Sequence, residues 1–379
     1  MKKYVTFFET IAVLLGTVVG AGIFGLPYAF AQIGYIGGIV YLIFLGLIVL
    51  VTNFCFGEIV LRTNGPLGVS GYIKKYLGQK AWWIMGISLL LGLYSALIAY
   101  IIAFSKFAPI VFAPIFGGSD LIYAIIFWII GSYLIMRGSK VMAKAELGMT
   151  TLLILMTLLV FIFSLKYINP ENYQDFNATN IFYPYGVVLF ALGGLTAVPT
   201  MRKILGNDAN LMRSALVIGG LVIPILVYAI FTFSVVGVSG SHTSEDAISG
   251  LIKIMGPKII LTGALFGLLS VLTSFVSLGY ALRQFFNRDH KIPLTWASLL
   301  AVSVPMILFL LGLNSFIKVI GFAGGIIAGT EGILIIMAFY RAKKLGDRSP
   351  EYNFALPKFI AYFICVVFVL GIIYQLVYF

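Results

Sequence analysis

The chain has 379 residues, of which 61% are hydrophobic and only 10% are charged. A soluble domain of this size carries about 25% charged residues, so the composition excludes a cytosolic enzyme, a nucleic-acid-binding protein, a disordered chain and a secreted disulfide scaffold. The formal net charge is +12, and its meaning depends on where the lysines and arginines lie.

Eleven apolar runs follow one another along the chain, and each is close to the roughly 20 residues that a helix needs to cross a bilayer. The connections are short, so residues 1–379 are predicted to form one transmembrane domain. We therefore predict an all-α integral membrane protein with eleven transmembrane helices. The predicted spans are 7–31, 35–60, 81–108, 121–137, 146–168, 182–204, 213–238, 258–285, 293–312, 316–340 and 357–378.

The basic residues are distributed unequally between the two sides of the predicted membrane. If the N-terminus is cytoplasmic, 20 of the 25 lysines and arginines fall in inside segments. Because positively charged loops stay in the cytoplasm, this bias predicts a multi-pass protein of the plasma (inner) membrane, with a cytoplasmic N-terminus and an extracytoplasmic C-terminus. The charge therefore sets orientation in the lipid bilayer, and no nucleic-acid partner is predicted.

Glycines and prolines interrupt the first and sixth predicted spans. The first reads GTVVGAGIFGLPYAFA over Gly16–Ala31, and the sixth reads FALGGLTAVP over Phe190–Pro199. Matching interruptions five spans apart predict two five-helix halves, 1–168 and 182–340, with the second half inverted and the helix at 357–378 additional. Discontinuous helices at corresponding positions of inverted halves are typical of a transporter's binding site.

Unwound backbone is tolerated inside a membrane only beside a ligand or a watery cavity, because its N–H and C=O groups need partners. We expect the free amides of Ala21 and Gly22 to hold a carboxylate at the positive end of a half-helix. Carbonyls freed near Gly16 and Val19 are candidate ligands for a cation. The alternative interpretation is that these glycines serve only close helix packing.

Three segments resemble a known family. Thr17–Ile33 resembles the first helix of the amino acid/polyamine/organocation superfamily, whose members share the leucine-transporter fold. The segment LFALGGLTAVP, which ends at Pro199, resembles the sixth helix of the amino acid/auxin permease branch, and the segment from Glu58 to Gly71 resembles the end of the second helix. The aromatic amino acid permease branch is the other candidate. The resemblance implies an inverted 5+5 repeat with helices 1 and 6 broken, plus one extra C-terminal helix.

The resemblance also implies a candidate coupling ion. In sodium-coupled relatives one Na⁺ lies between helices one and eight, and the matching positions here are the carbonyls of Gly16, Val19 and Ser270 with the hydroxyls of Thr273 and Ser274. The alternative is that these hydroxyls only bond back to the preceding helical turn. The choice between Na⁺ and H⁺ stays open, and no other cofactor or metal is predicted.

The substrate carboxylate is expected at the amides of Ala21 and Gly22, with Tyr94 or Tyr100 either adding a hydroxyl donor or serving only packing. The substrate ammonium is expected at carbonyls of the broken helices, around Val18 and Phe190–Leu192. Because no charged residue lies at the breaks, we predict a neutral amino acid with a hydrophobic or aromatic side chain. The predicted substrate-binding residues are Val18, Gly20, Ala21, Gly22, Ile23, Tyr94, Tyr100, Phe190, Ala191, Leu192, Gly193, Gly194 and Leu195.

Two carboxylates in or near the spans, Glu58 and Glu331, are candidates for coupling or gating, because a carboxylate inside a membrane is costly and usually functional. Glu58 is expected to brace unwound backbone, as the second-helix glutamate of the family does. Glu331 fits a proton carrier and a hydrogen-bonded structural carboxyl equally well. A helix-five lysine that replaces the ion in some proton-coupled relatives would fall near Leu153, where this chain has none.

Together these features predict a secondary active transporter that couples symport of a neutral amino acid to an ion gradient by alternating access. The chain lacks catalytic motifs in its spans and is not predicted to be an enzyme. The alternatives are a membrane amino acid sensor that does not transport, an uncoupled exchanger, or a channel. A monomer or weak oligomer is expected.

Overall fold

The computed structural model describes residues 2–137, 142–289 and 291–378, and within them the chain is helical apart from short connections. The helices of the first part are α1 (Lys2–Val18), α2 (Gly22–Ile33), α3 (Tyr35–Arg62), α4 (Val69–Leu77), α5 (Gln79–Phe116), α6 (Asp120–Arg137) and α7 (Met142–Ser164). The later helices are α8 (Pro184–Ala191), α9 (Val198–Leu205), α10 (Met212–Val217), α11 (Ile223–Ser239), α12 (Ile252–Met255), α13 (Pro257–Gln284), α14 (Leu294–Leu310), α15 (Phe316–Phe322), α16 (Gly329–Leu345) and α17 (Lys358–Tyr378).

Eight stretches of helix in the described residues are long and apolar enough to cross a membrane, and the bent pair α1–α2 makes a ninth. Two shorter apolar helices, 151–164 and Leu294–Leu310, coincide with further predicted spans. The prediction of an all-α membrane protein is therefore confirmed, whereas the count of eleven spans and the inverted repeat stay predictions.

The predicted connection 61–80 contains a helix that the search for apolar runs missed. In α4, Val69, Tyr72, Ile73 and Tyr76 are buried, and this i, i+3, i+4, i+7 spacing gives the helix one apolar face. The helix packs against α5 and α16. A nine-residue helix with polar residues between its apolar positions does not register as a membrane span, because its mean hydropathy is low.

Backbone contacts between glycines fix α8, the first half of the sixth predicted span, against the tenth predicted span. A Cβ atom on Gly324 would lie only 1.7 Å from the carbonyl oxygen of Gly186, and a Cβ on Gly186 would lie 2.3 Å from that of Gly321. Any side chain at these positions would force α8 and the tenth span apart. Between α15 and α16 the tenth span forms a π-helical segment, Ala323–Ala328, a local widening that is frequent at functional sites.

Candidate functional site

The first predicted span is broken between α1 and α2, which meet at an angle of 56°. In the gap the amide of Gly20 donates to the carbonyl of Val18 at 3.0 Å. The carbonyl of Gly20 in turn accepts from the amide of Ile23 at 3.3 Å. The amides of Ala21 and Gly22 donate to no atom in the part of the chain that the structure describes. The break therefore leaves two adjacent N–H groups available to a ligand.

The sixth span is broken between α8 and α9. The chain leaves the helical conformation at Leu192 (φ −91°, ψ 1°) and Gly194 (φ −135°, ψ 8°), and helix resumes at Val198 after a 3₁₀ turn. Each glycine disfavours a helix by about 1 kcal/mol relative to alanine, so the pair Gly193–Gly194 weakens the helix at this point. The interruption lies where the glycine pair predicted it.

The two breaks touch each other through glycines. A Cβ atom on Gly22 would lie 2.6 Å from the Cα of Ala191, and a Cβ on Gly194 would lie 2.6 Å from a methyl group of Val18. These two glycines therefore serve close packing, which the sequence interpretation had kept as the alternative. Close packing and a ligand site occur at the same place here, because the contact brings the unwound segments of both helices together.

Tyr228 of α11 joins the two breaks by hydrogen bonds. Its hydroxyl lies 2.7 Å from the carbonyl oxygen of Val18 and 2.7 Å from that of Ala191, and the side chain is 0% exposed. One hydroxyl proton is thus shared between the carbonyls that the sequence had assigned to the substrate ammonium. Sequence reasoning missed this tyrosine, because it lies in a plain apolar span and is far along the chain from both acceptors.

A cavity of about 170 Å³ lies beside both breaks, and α5, α13, the π segment Ala323–Ala328 and α16 complete its wall. Ile23, Ala191 and Leu192 are buried in the surrounding core and do not line it. Gly194 lines a smaller neighbouring cavity. The predicted residues that line the cavity are Val18, Gly20, Ala21, Gly22, Tyr100, Phe190, Gly193 and Leu195. The wall also contains Thr17, Leu89, Gly92, Leu93, Ala96, Leu189, Thr196, Leu278, Ala323, Ile327, Ala328 and Glu331.

The structure separates the two candidate tyrosines of α5. Tyr100 lines the cavity, and its hydroxyl would lie 3.6 Å from a Cβ atom on Gly20. Tyr94 instead donates to the carbonyl of Leu300 at 3.1 Å and faces α14. The helical period agrees with this difference, because Leu93, Ala96 and Tyr100 lie on one face of α5 and Tyr94 lies on another.

Comparison with known proteins shows the family to which the chain belongs. The sequence model of the tryptophan/tyrosine permease family matches residues 3–377. The chain belongs to this family. The permease is 24% identical over 360 residues to tyrosine-specific transport system 1 of Haemophilus influenzae, covering 88% of each chain. It is 23% identical over 335 residues to glutamine transporter 2 of Aliivibrio fischeri, covering 84% of this chain and 85% of the relative.

A solved structure shows the same fold. The crystal structure of MhsT in complex with L-phenylalanine matches with a TM-score of 0.69 at 17% identity, and the match covers 96% of this chain and 98% of MhsT. The predicted membership of the superfamily with the leucine-transporter fold is therefore confirmed, and the family is the aromatic amino acid branch. The permease is a multi-pass membrane protein and an amino acid transporter.

The residues predicted to hold Na⁺ lie outside the cavity of the permease. Thr273 donates to the carbonyls of Leu269 and Ser270 at 3.1 and 3.0 Å, the back-bonding that was the alternative interpretation. Helix α13 packs chiefly on α5, α6, α7 and α14, whereas α1 packs on α9, α7 and the π segment Ile218–Val222. Neither Gly16 nor Val19 lines the cavity.

Glu58 braces irregular backbone, but at the connection between α16 and α17 instead of at the broken helices. Its carboxylate is 0% exposed and accepts from the Nε of Arg62 at 2.7 Å and from the amide of Phe354 at 2.5 Å. Lys343 lies 3.9 Å away. A buried carboxylate with a cation and two donors is a structural anchor, so Glu58 ties α3 to the segment that leads into the last helix.

Glu331 has the opposite environment. It lies in the first turn of α16, the helix that directly follows the π segment, and its side chain lines both the 170 Å³ cavity and the smaller cavity beside it. Within the described residues, Glu331 forms no hydrogen bond or ion pair. Among the described residues that line either cavity, it is the only one with a charged side chain.

Proposed function

We propose that this permease is a secondary active transporter that binds a neutral amino acid with a large apolar or aromatic side chain at the two helix breaks and moves it by alternating access, coupled to an ion gradient. The observation that carries the proposal is the meeting of both unwound segments at one cavity, where the amides of Ala21 and Gly22 donate to no atom of the described residues.

The backbone at the first break suits the α-carboxylate of an amino acid. Two adjacent N–H groups lie at the start of α2, where the positive end of the helix dipole also favours an anion. In a cavity with few polar groups, each charge-assisted hydrogen bond to a carboxylate is stronger than it is in water. The proposed role of Ala21 and Gly22 is therefore to fix the carboxylate whatever the side chain is.

The wall of the cavity supports a neutral, apolar side chain. Leu89, Leu93, Leu278 and Ile327 have hydrocarbon side chains, and the described residues of the wall include no arginine or lysine that would pair with an acidic substrate. The relatives are named for tyrosine and for glutamine, and the crystal structure of MhsT contains L-phenylalanine. All three of these amino acids are neutral, and two are aromatic.

A buried aromatic cluster between two cavities supports an alternating-access mechanism, with the substrate cavity closed toward the Lys106 end of α5. The cavity borders the first half of α5, which the charge bias places on the cytoplasmic side. A second cavity of about 840 Å³ lies at the other end of α5, beside Lys106 and Asp120. Between them Phe24 packs edge-on against Phe107 and Phe231, with ring centroids 5.0 and 6.1 Å apart. We propose that this buried aromatic cluster is the closed outer gate.

The test is substrate counterflow in proteoliposomes that contain the purified chain. Vesicles loaded with unlabelled L-tyrosine, L-phenylalanine, L-tryptophan or L-glutamine should each be challenged with the same amino acid in labelled form. At least one aromatic amino acid should exchange at a rate well above that of empty vesicles, and L-glutamate and L-arginine should not. Binding without exchange would favour a sensor, and no exchange of any neutral amino acid would refute the proposal.

A further inference from the structure

Glu331 is held at the substrate cavity by the way the tenth span is built. Backbone contact at Gly186 and Gly324 fixes the π segment Ala323–Ala328 against α8, the half-helix that ends at the sixth break. The π turn lies directly before α16, so the side chain of Glu331 lies next to the unwound residues of that break, including Gly193 and Leu195. The carboxyl therefore faces the place where the substrate is proposed to bind.

A second polar side chain, whose amide nitrogen has no acceptor among the described residues, lies at the same place. Asn53 of α3 is 2% exposed, and its Nδ2 group forms no hydrogen bond within the described residues. Asn53 and Glu331 both line the small cavity of about 50 Å³ that adjoins the substrate cavity. A buried amide without an acceptor is costly, and the nearby carboxylate is the group that would satisfy it when deprotonated.

The other groups around Glu331 leave its charge uncompensated. Among the described lining residues, α3 contributes Thr52 and Asn53, and Tyr100 is the only titratable one from α5. The side chains contributed by α13 and α17, Leu278 and Phe368, are apolar. None of these lining side chains is a cation. A carboxylate in such surroundings is held at a high cost, and protonation removes that cost.

We propose that Glu331 is the proton-binding site of the transport cycle, with Asn53 as the residue that positions its deprotonated form. This inference rests on the proposed transport function and names its coupling ion as H⁺. The step is a proton transfer from hydronium to the carboxylate, which gives a neutral carboxyl group and water. The proton returns to water on the opposite side of the membrane.

The coupling follows from occupancy of the shared cavity. An amino acid bound at the breaks displaces water from beside Glu331, and loss of that water disfavours the charged carboxylate. Substrate binding therefore favours protonation, and by linkage protonation favours substrate binding by the same factor. A permease with this arrangement carries substrate and proton together. The arrangement needs no ligand from Thr273 or Ser274.

The test compares accumulation with exchange in proteoliposomes, using labelled L-phenylalanine and L-tyrosine as probes. The wild type should accumulate substrate when the vesicle interior is alkaline, with no requirement for Na⁺. Glu331→Gln should lose at least tenfold of the accumulation driven by the pH gradient, whereas its counterflow, which needs no net proton movement, should fall by a clearly smaller factor. Glu171→Gln, the same change at an exposed carboxylate, should behave as the wild type.

Several outcomes would overturn the inference. Accumulation by Glu331→Gln equal to that of the wild type would do so, and so would wild-type accumulation that depends on Na⁺ and is lost in the Thr273→Ala, Ser274→Ala double variant. Either result leaves amino acid transport itself intact. Absence of counterflow in the wild type would instead refute the proposed function.

A second measurement keeps the inference testable if Glu331→Gln does not fold. Calorimetric titration of the wild type with the same amino acids, in two buffers of different ionisation enthalpy, should show net proton uptake on binding. Glu331→Asp, which retains a carboxyl group, should keep this uptake. Asn53→Ala should shift the pH profile of uptake toward alkaline pH, because it removes the donor to the charged form. The absence of proton uptake by the wild type from pH 5 to 8 would contradict the assignment.

Discussion

Replacing Tyr228 by phenylalanine removes one hydroxyl from the contact between the two broken helices and keeps the ring. The hydroxyl lies 2.7 Å from the carbonyls of Val18 and Ala191 in a fully buried position. The Val18 carbonyl keeps the amide of Gly20 at 3.0 Å, whereas that of Ala191 loses the donor that Tyr228 supplies. A buried polar group left without a partner costs about 1–3 kcal/mol, so Tyr228→Phe should lower the free energy of unfolding by about that amount.

Tyr185 provides the matched control. It is also a buried tyrosine of the bundle, but its hydroxyl has no hydrogen-bond partner in the described residues. Tyr185→Phe removes an unsatisfied hydroxyl and should therefore leave stability unchanged or raise it. Both variants can be compared by equilibrium unfolding in mixed detergent micelles, with tryptophan fluorescence as the signal. If Tyr228→Phe were as stable as Tyr185→Phe, the hydroxyl would not join the two breaks.

Gly22→Ala should lower the free energy of unfolding by about 1–3 kcal/mol, because the methyl group of the alanine would lie 2.6 Å from the Cα of Ala191. Gly20→Ala should be tolerated, since its nearest neighbour would be 3.6 Å away; equal unfolding midpoints for the two variants would contradict the contact. The hydrogen bond from Lys75 lowers the pKa of the folded Asp347 carboxyl, so its contribution to stability should be complete above about pH 4 and be lost as pH falls further, through the folded pKa. Acid titration of the unfolding midpoint should show a smaller decline in Asp347→Asn, and an identical decline would exclude this contribution.

Local sequence was informative wherever local backbone preference decides the structure. The breaks fall at Gly20–Gly22 and at Gly193–Gly194 because consecutive small residues weaken a helix whatever surrounds it. The all-α membrane fold follows equally directly from apolar runs of bilayer length. The short helix α4 was missed because an amphipathic helix of nine residues lacks that length.

Tertiary contacts explain what the sequence left undetermined. The hydrogen bonds of Tyr228 and the position of Asn53 beside Glu331 join segments that are far apart in the chain, and no motif marks them. The carboxylate of Glu58 accepts from the amide of Phe354, in a connection without regular structure that no motif near Glu58 marks. The helical period of α5 places Tyr94 and Tyr100 on different faces, but only the packing of the bundle shows that Tyr100 lines the cavity.

The unpaired amides of Ala21 and Gly22 have a consequence for how substrate selectivity changes over evolutionary time. A main-chain N–H is the same in almost every residue, so point mutations in the cavity wall leave it in place. If the carboxylate common to all amino acids is held by main chain, mutations at positions such as Leu93 or Ile327 alter only the fit to the side chain. A scaffold organised in this way can exchange one amino acid for another in a few substitutions without rebuilding its recognition of amino acids as a class.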